Sequence, residues 1–118
     1  MNDKKTKQAE VLFFFNLWVD PAAGPAIEKY ATEDGHIAEV VAQPGFLWGS
    51  YLDYGEEDER GWKRIATVYG VESRAALDRF LVSDEMKKYA EQRREYEPYM
   101  RIEMKSATVS FRIPATAL

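Results

Sequence analysis

The run VLFFFNLWV at residues 11–19 constrains this chain more than any other segment. Aromatic and aliphatic side chains follow one another almost without interruption and stop at Asp20-Pro21, which reads as a β-strand ending in a turn. Side chains alternate across a strand, so Val11, Phe13, Phe15, Leu17 and Val19 go to one face and Leu12, Phe14, Asn16 and Trp18 to the other. Both faces are apolar, so both have to be covered. Whatever packs on one side, something else must close the other.

The rest of the chain supplies cover for one side only. Pro25 suits the first turn of a helix, and Ile27, Tyr30, Ala31, Asp34, Ala38 and Val41 recur at helical spacing until Pro44-Gly45, with Gly35 weakening the middle. Residues 46–54 and 62–71 read as two strands of a hairpin, joined by the acidic segment Gly55-Glu56-Glu57-Asp58-Glu59-Arg60-Gly61. Ser73 is placed to cap a short helix using Leu77, Phe80 and Leu81. Ser83 is placed to cap a second using Met86, Tyr89, Ala90 and Arg93, which Pro98 ends. Residues 107–113 (ATVSFRI) alternate as a last strand.

The order β-α-β-β-α-β predicts an α+β domain of the ferredoxin-like kind, a four-stranded antiparallel sheet with helices on one face. The uncovered face is then an apolar patch larger than monomers usually expose, and a twofold pairing of sheet against sheet, a homodimer closed as an α/β barrel, is the expected remedy.

The chain's 118 residues fit one domain. The predicted division is a flexible tail over residues 1–9, the domain over 10–113 and a tail over 114–118. A net charge of −4 argues against a nucleic-acid partner, since phosphate binding needs clustered Lys and Arg. With no cysteine and one histidine, no metal site or cofactor is expected. Lys4, Lys5 and Lys7 ahead of the apolar run imitate a secretory leader, but Asp3, Glu10 and Asn16 break the pattern. A cytoplasmic protein with no membrane partner is expected.

Within this frame a few polar residues stand out. His36 alone has an ordinary pKa near neutrality, which makes it the candidate general acid/base. The plainer alternative leaves it exposed or capping a turn. Asn16 interrupts an apolar strand, and a buried amide needs a partner; Arg64 or Thr67 and Ser110 or Arg112 are the expected neighbours. Asn16 and Arg64, with Trp18, Trp48, Tyr51 and Tyr69, are read as one substrate pocket; a volume of roughly 300 Å³ or more beside His36 favours ligand chemistry, and a packed interface favours the interaction reading. A polar network inside a dimer interface is the competing reading. Glu56, Glu57, Asp58 and Glu59 lack the alternate spacing of a calcium loop and read as a solvated turn. Lys87-Lys88 and Arg93-Arg94, interleaved with Glu91 and Glu95, read as an exposed helix face.

His36-Ile37-Ala38-Glu39-Val40-Val41 leading to Pro44-Gly45-Phe46, and Arg64-Ile65-Ala66-Thr67-Val68-Tyr69 ahead of a helix containing Leu77, carry a resemblance. The chain resembles the dimeric α+β barrel superfamily, within it the small domains with a helix-borne histidine and a Pro-Gly-Phe turn. It is similar in this to antibiotic-biosynthesis-monooxygenase-like and EthD-like proteins. Gly35 stands where an acidic residue is usual and Ala38 where proline is usual. The resemblance implies a small apolar, aromatic or oxygenated ligand and cofactor-independent proton-transfer chemistry, an isomerase, cyclase, lyase or monooxygenase step. A non-catalytic dimeric binding or interaction protein is the alternative. Haem is a minor one: Asn16 and Trp62 look like part of the arrangement in haem-degrading relatives, but the later helix, residues 83–96, has no histidine.

Overall fold

The computed structural model describes residues 7–113, so residues 1–6 and 114–118 of the predicted tails lie outside the described part. The elements are β1 (Val11–Val19), α1 (Gly24–Ala31), α2 (His36–Val41), β2 (Phe46–Glu57), β3 (Lys63–Val71), α3 (Arg74–Leu81), α4 (Asp84–Arg93), a 3₁₀ helix (Arg94–Tyr99) and β4 (Met100–Thr108). The four strands form one antiparallel sheet in the order β2-β3-β1-β4. This is the ferredoxin-like α+β fold.

The apolar run forms the central strand as expected. Val11, Phe13, Leu17 and Val19 are buried with Ile27, Val40, Leu77, Phe80 and Tyr89, so the helices cover that face. Leu12, Phe14, Asn16 and Trp18 point to the other face. The predicted caps form: Ser73 accepts from the Ala76 amide and Ser83 from the Met86 amide. Leu77 and Phe80 pack into the core, whereas Leu81 is left exposed.

Three expectations change. The first helix is two helices, broken after Ala31; Gly35, at φ 85°, occupies the left-handed region and starts α2 with His36 as its first residue. The second strand runs on to Glu57 and takes in part of the acidic segment, leaving a tight turn around Asp58, which accepts from the amides of Arg60 and Trp62.

The last strand is Met100–Thr108, not residues 107–113, and Pro98 sits inside the 3₁₀ helix that leads into it instead of closing α4. The pairing explains the shift. β4 matches β1 from Val19↔Met100 to Val11↔Thr108, so the chain beyond Thr108 has no more of β1 to pair with. Glu103 therefore stands opposite Asn16 on β4, in place of the expected Ser110 or Arg112, and on β3 its register partner is Ala66, between the expected Arg64 and Thr67.

Pro44-Gly45-Phe46 joins α2 to β2. Gly45 has φ 84°, and a Cβ there would lie 2.5 Å from that of Ala76, so the turn requires glycine twice over. It delivers Phe46, fully buried, into the core beside Phe80. Among the described residues no helix is long and apolar enough to cross a membrane.

Candidate functional site

A cavity of about 60 Å³ lies between the sheet and the helices. Phe13, Phe15 and Leu17 from β1, Tyr51 from β2, and Thr67 and Tyr69 from β3 form its floor. Tyr30, His36, Met86, Tyr89 and Arg93 come down from the helices. It is smaller than the roughly 300 Å³ that would favour ligand chemistry over a packed site. Aromatic rings that sequence reasoning assigned to helix packing, Tyr30 and Tyr89 among them, fill much of the space.

His36 is neither exposed nor a simple turn cap. Its ring stacks on Tyr30 at 4.7 Å between centroids and meets Tyr89 edge-on at 4.8 Å. The Tyr30 hydroxyl lies 3.1 Å from His36 Nδ1 and donates to Gln92 Oε1 at 2.8 Å. A phenol has one proton, and it is committed to Gln92. With the Gln92 amide oriented to accept at Oε1, Nδ1 is assigned as the protonated nitrogen, donating to the phenolic oxygen, and Nε2 keeps the lone pair. Burial, assisted by the nearby Arg93 charge, holds the imidazole down to about 4, so it is neutral at pH 7. A neutral imidazole with an unused lone pair can accept a proton, but a value near 4 makes it a weak base, suited to a substrate whose own proton is acidic.

Two other polar groups meet the cavity. Tyr69 is buried, and burial pushes its hydroxyl up to about 12 against the pull of the Thr67 hydroxyl beside it. Arg93, expected on an exposed helix face, turns inward: it is half-buried, and its guanidinium carbon lies 4.9 Å from the Phe15 ring centroid. Its spacing from Met86 and Tyr89 places all three on one side of α4. That spacing was the available signal, masked by the neighbouring glutamates.

The predicted pocket residues divide between the two faces of the sheet. Tyr51 and Tyr69 share the cavity with His36; Asn16, Trp18, Trp48 and Arg64 do not, because strand alternation sends them to the opposite face. There Asn16 is buried and its Oδ1 accepts from the Tyr54 hydroxyl at 2.9 Å. The Arg64 guanidinium packs over the rings of Tyr54 and Trp18, at 4.6 and 5.4 Å, and pairs with Glu56 at 3.6 Å. Trp48 lies over Gly70. Trp62 is held under Arg60 at the hairpin turn, away from the cavity, so the Asn16 and Trp62 pairing behind the haem reading does not line the site. Among the described residues no group of three or more His, Cys, Asp or Glu side chains is placed to hold a metal ion.

No protein-family model matches the chain, and no curated protein matches it either. Solved structures do. The haem degrader MhuD from Mycobacterium tuberculosis, with two haems bound in its active site, is 23% identical; the alignment covers 88% of this chain and 99% of that one, with a TM-score of 0.63. SnoaB from Streptomyces nogalater, a cofactor-independent oxygenase, is 20% identical over 90% of this chain and 99% of its own, with a TM-score of 0.61. A monooxygenase from the ActVA-Orf6 gene of Streptomyces coelicolor, in complex with nanaomycin D, is 18% identical over 96% of this chain and 95% of its own, with a TM-score of 0.65. At these identities the likeness is one of fold. The chain shares the ferredoxin-like architecture of the antibiotic-biosynthesis-monooxygenase-like structures.

Proposed function

We propose that the chain binds a compact aromatic or oxygenated molecule in the helix-side cavity and acts on it by cofactor-independent proton transfer, with His36 as the general base. The observation that carries this is the placement of His36: its ring lines the aromatic cavity and its Nδ1 lies 3.1 Å from the Tyr30 hydroxyl, while burial favours the neutral imidazole. Tyr51 and Tyr69 shape the pocket, and the Tyr69 hydroxyl is a donor for a ligand oxygen. Abstracting an acidic proton from a phenol or an activated ring CH₂ leaves an electron-rich anion. In the oxygenase form of the reaction dioxygen is the oxidant: a ring CH₂ becomes a ketone and the second oxygen atom leaves as water. The neighbours described as a cofactor-independent oxygenase and as a monooxygenase with nanaomycin D support this form.

A second reading is that of a non-catalytic binding protein, favoured by the small cavity. Either way the chain is taken as a cytoplasmic homodimer joined through its open sheet face. The test is oxygen uptake with 2-indanone, a compact ketone with an activated ring CH₂, as probe, without added flavin or metal, for the wild type and His36→Ala. Turnover above the uncatalysed rate in the wild type and its loss in a variant of unchanged melting temperature is the expected result. A variant as active as the wild type removes His36 from the chemistry.

A further inference from the structure

Arg93 is the feature of the cavity that the proton-transfer reading leaves unused. Its Nε is sealed from solvent without a hydrogen-bond partner. Arg64 Nε is also sealed without a hydrogen-bond partner, but that guanidinium has a carboxylate, Glu56, at 3.6 Å. Arg60 pairs with Asp58, Arg94 with Glu91 and Arg112 with Glu10, while Arg74 donates to Ser106. Arg79 and Arg101 are exposed, where water serves them. Arg93 is half-buried against Phe15 and forms no ion pair among the described residues. Burial disfavours its charge, and the Glu97 carboxylate favours that charge without offsetting the effect of burial. A guanidinium drawn out of water costs free energy unless something supplies the missing hydrogen-bond partner.

We infer that Arg93 is a binding residue for an ionised ligand oxygen, and that the cavity takes a compact aromatic monoanion, a carboxylate or a phenolate. This rests on the cavity being the ligand site. The remaining lining argues for the rest of the class. Phe15, Tyr30 and Tyr89 offer ring surfaces for a planar apolar body, and the space is too small for a large one. His36 is neutral, so the cavity supplies one cation and matches one negative charge. Arginine's planar fork suits a carboxylate by two parallel hydrogen bonds and a phenolate by one or two.

The experiment compares benzoate, 4-nitrophenolate and the neutral isostere benzamide. Affinities come from calorimetry, and location comes from the imidazole NMR signals of His36, which are unambiguous because the chain has one histidine. In the wild type both anions move the His36 signals, and the better one binds about tenfold or more tightly than benzamide, the size expected for a charge-assisted contact. Preference for benzoate or for the nitrophenolate decides between carboxylate and phenolate. Arg93→Met lowers that anion to the level of benzamide and leaves benzamide unchanged, and Arg93→Lys falls between. Equal affinities for benzamide and both anions, with the His36 signals moving, overturn the assignment of Arg93 while leaving the cavity as a site. No movement of His36 with any probe overturns the cavity reading, and this inference with it.

Discussion

The Tyr30 hydroxyl bridges His36 Nδ1 and Gln92 Oε1, at 3.1 and 2.8 Å, an arrangement that favours the proton on Nδ1. Tyr30→Phe keeps the ring stack but leaves the Nδ1–H and the Gln92 carbonyl without this partner. We expect a loss of about 1 kcal/mol in stability. We also expect a mixture of His36 tautomers in long-range ¹H–¹⁵N spectra. Turnover of the 2-indanone probe should fall more than ligand affinity, because Nε2 no longer holds the lone pair in every molecule. A single tautomer surviving in the variant would show that the hydroxyl does not set it.

The depressed pKa of His36 has a signed consequence for stability. Burial, then Arg93, lowers it from 6.5 to about 4 in the folded protein. Between those values the unfolded chain binds the extra proton and the folded one does not. The contribution is therefore fully present above about pH 6.5 and lost as pH falls toward 4. The shift of about 2.5 (6.5 − 4), discounted for the part of the ring that solvent reaches, amounts to on the order of 2 kcal/mol. Tyr30 and Tyr89, both neutral in this range, face the ring with Arg93. Denaturant titrations at pH 7, 5 and 4 should show this loss in the wild type and not in His36→Gln, the difference removing what the carboxylates contribute.

Asn16 provides the control on the other side of the sheet. Tyr54→Phe removes the donor to its buried Oδ1 and should cost about 1 to 3 kcal/mol, the range for an orphaned buried polar group. Binding of benzoate and the His36 signals should not change, since the two sites are separated by the sheet. A large loss of benzoate affinity would put Asn16 back in the ligand site.

Much of the fold could be read because single physical rules governed it. Alternation in β1 sorted Phe13 from Phe14, and side-chain oxygens at Ser73 and Ser83 satisfied helix amides as their positions require. The same alternation already separated Asn16 from Phe15 and hence from the helices that carry His36. Grouping them in one pocket weighed polarity above geometry. The last strand was misplaced because β4 is a sheet edge with charged Arg101, Glu103 and Lys105, so its pattern is weaker than that of residues 107–113; only pairing with β1 decides between them. Arg93 carries two signals in the sequence, helical spacing with Met86 and Tyr89 and a charged run with Glu91 and Glu95, and only the first matches where its side chain goes.

The open sheet face yields the prediction that reaches furthest into assembly. Leu12, Phe14 and Trp18 are half-buried at the centre of that face, and Trp48 remains 42% exposed at its edge. The helices lie on the far side and cannot cover these groups. Burying them against a second copy removes apolar surface from water at roughly 25 cal/mol per Å², and it also encloses the Asn16, Tyr54 and Arg64 cluster in the interface. Phe14→Glu puts a charge at the centre of the face without touching the helix-side core. In sedimentation velocity the wild type should run as a dimer and Phe14→Glu as a folded monomer that still binds benzoate. A wild type that stays monomeric at concentrations well above those of the assays would remove the twofold interface. The exposed aromatics of this face would then need another partner, while the His36 cavity, built within one chain, would stand unchanged.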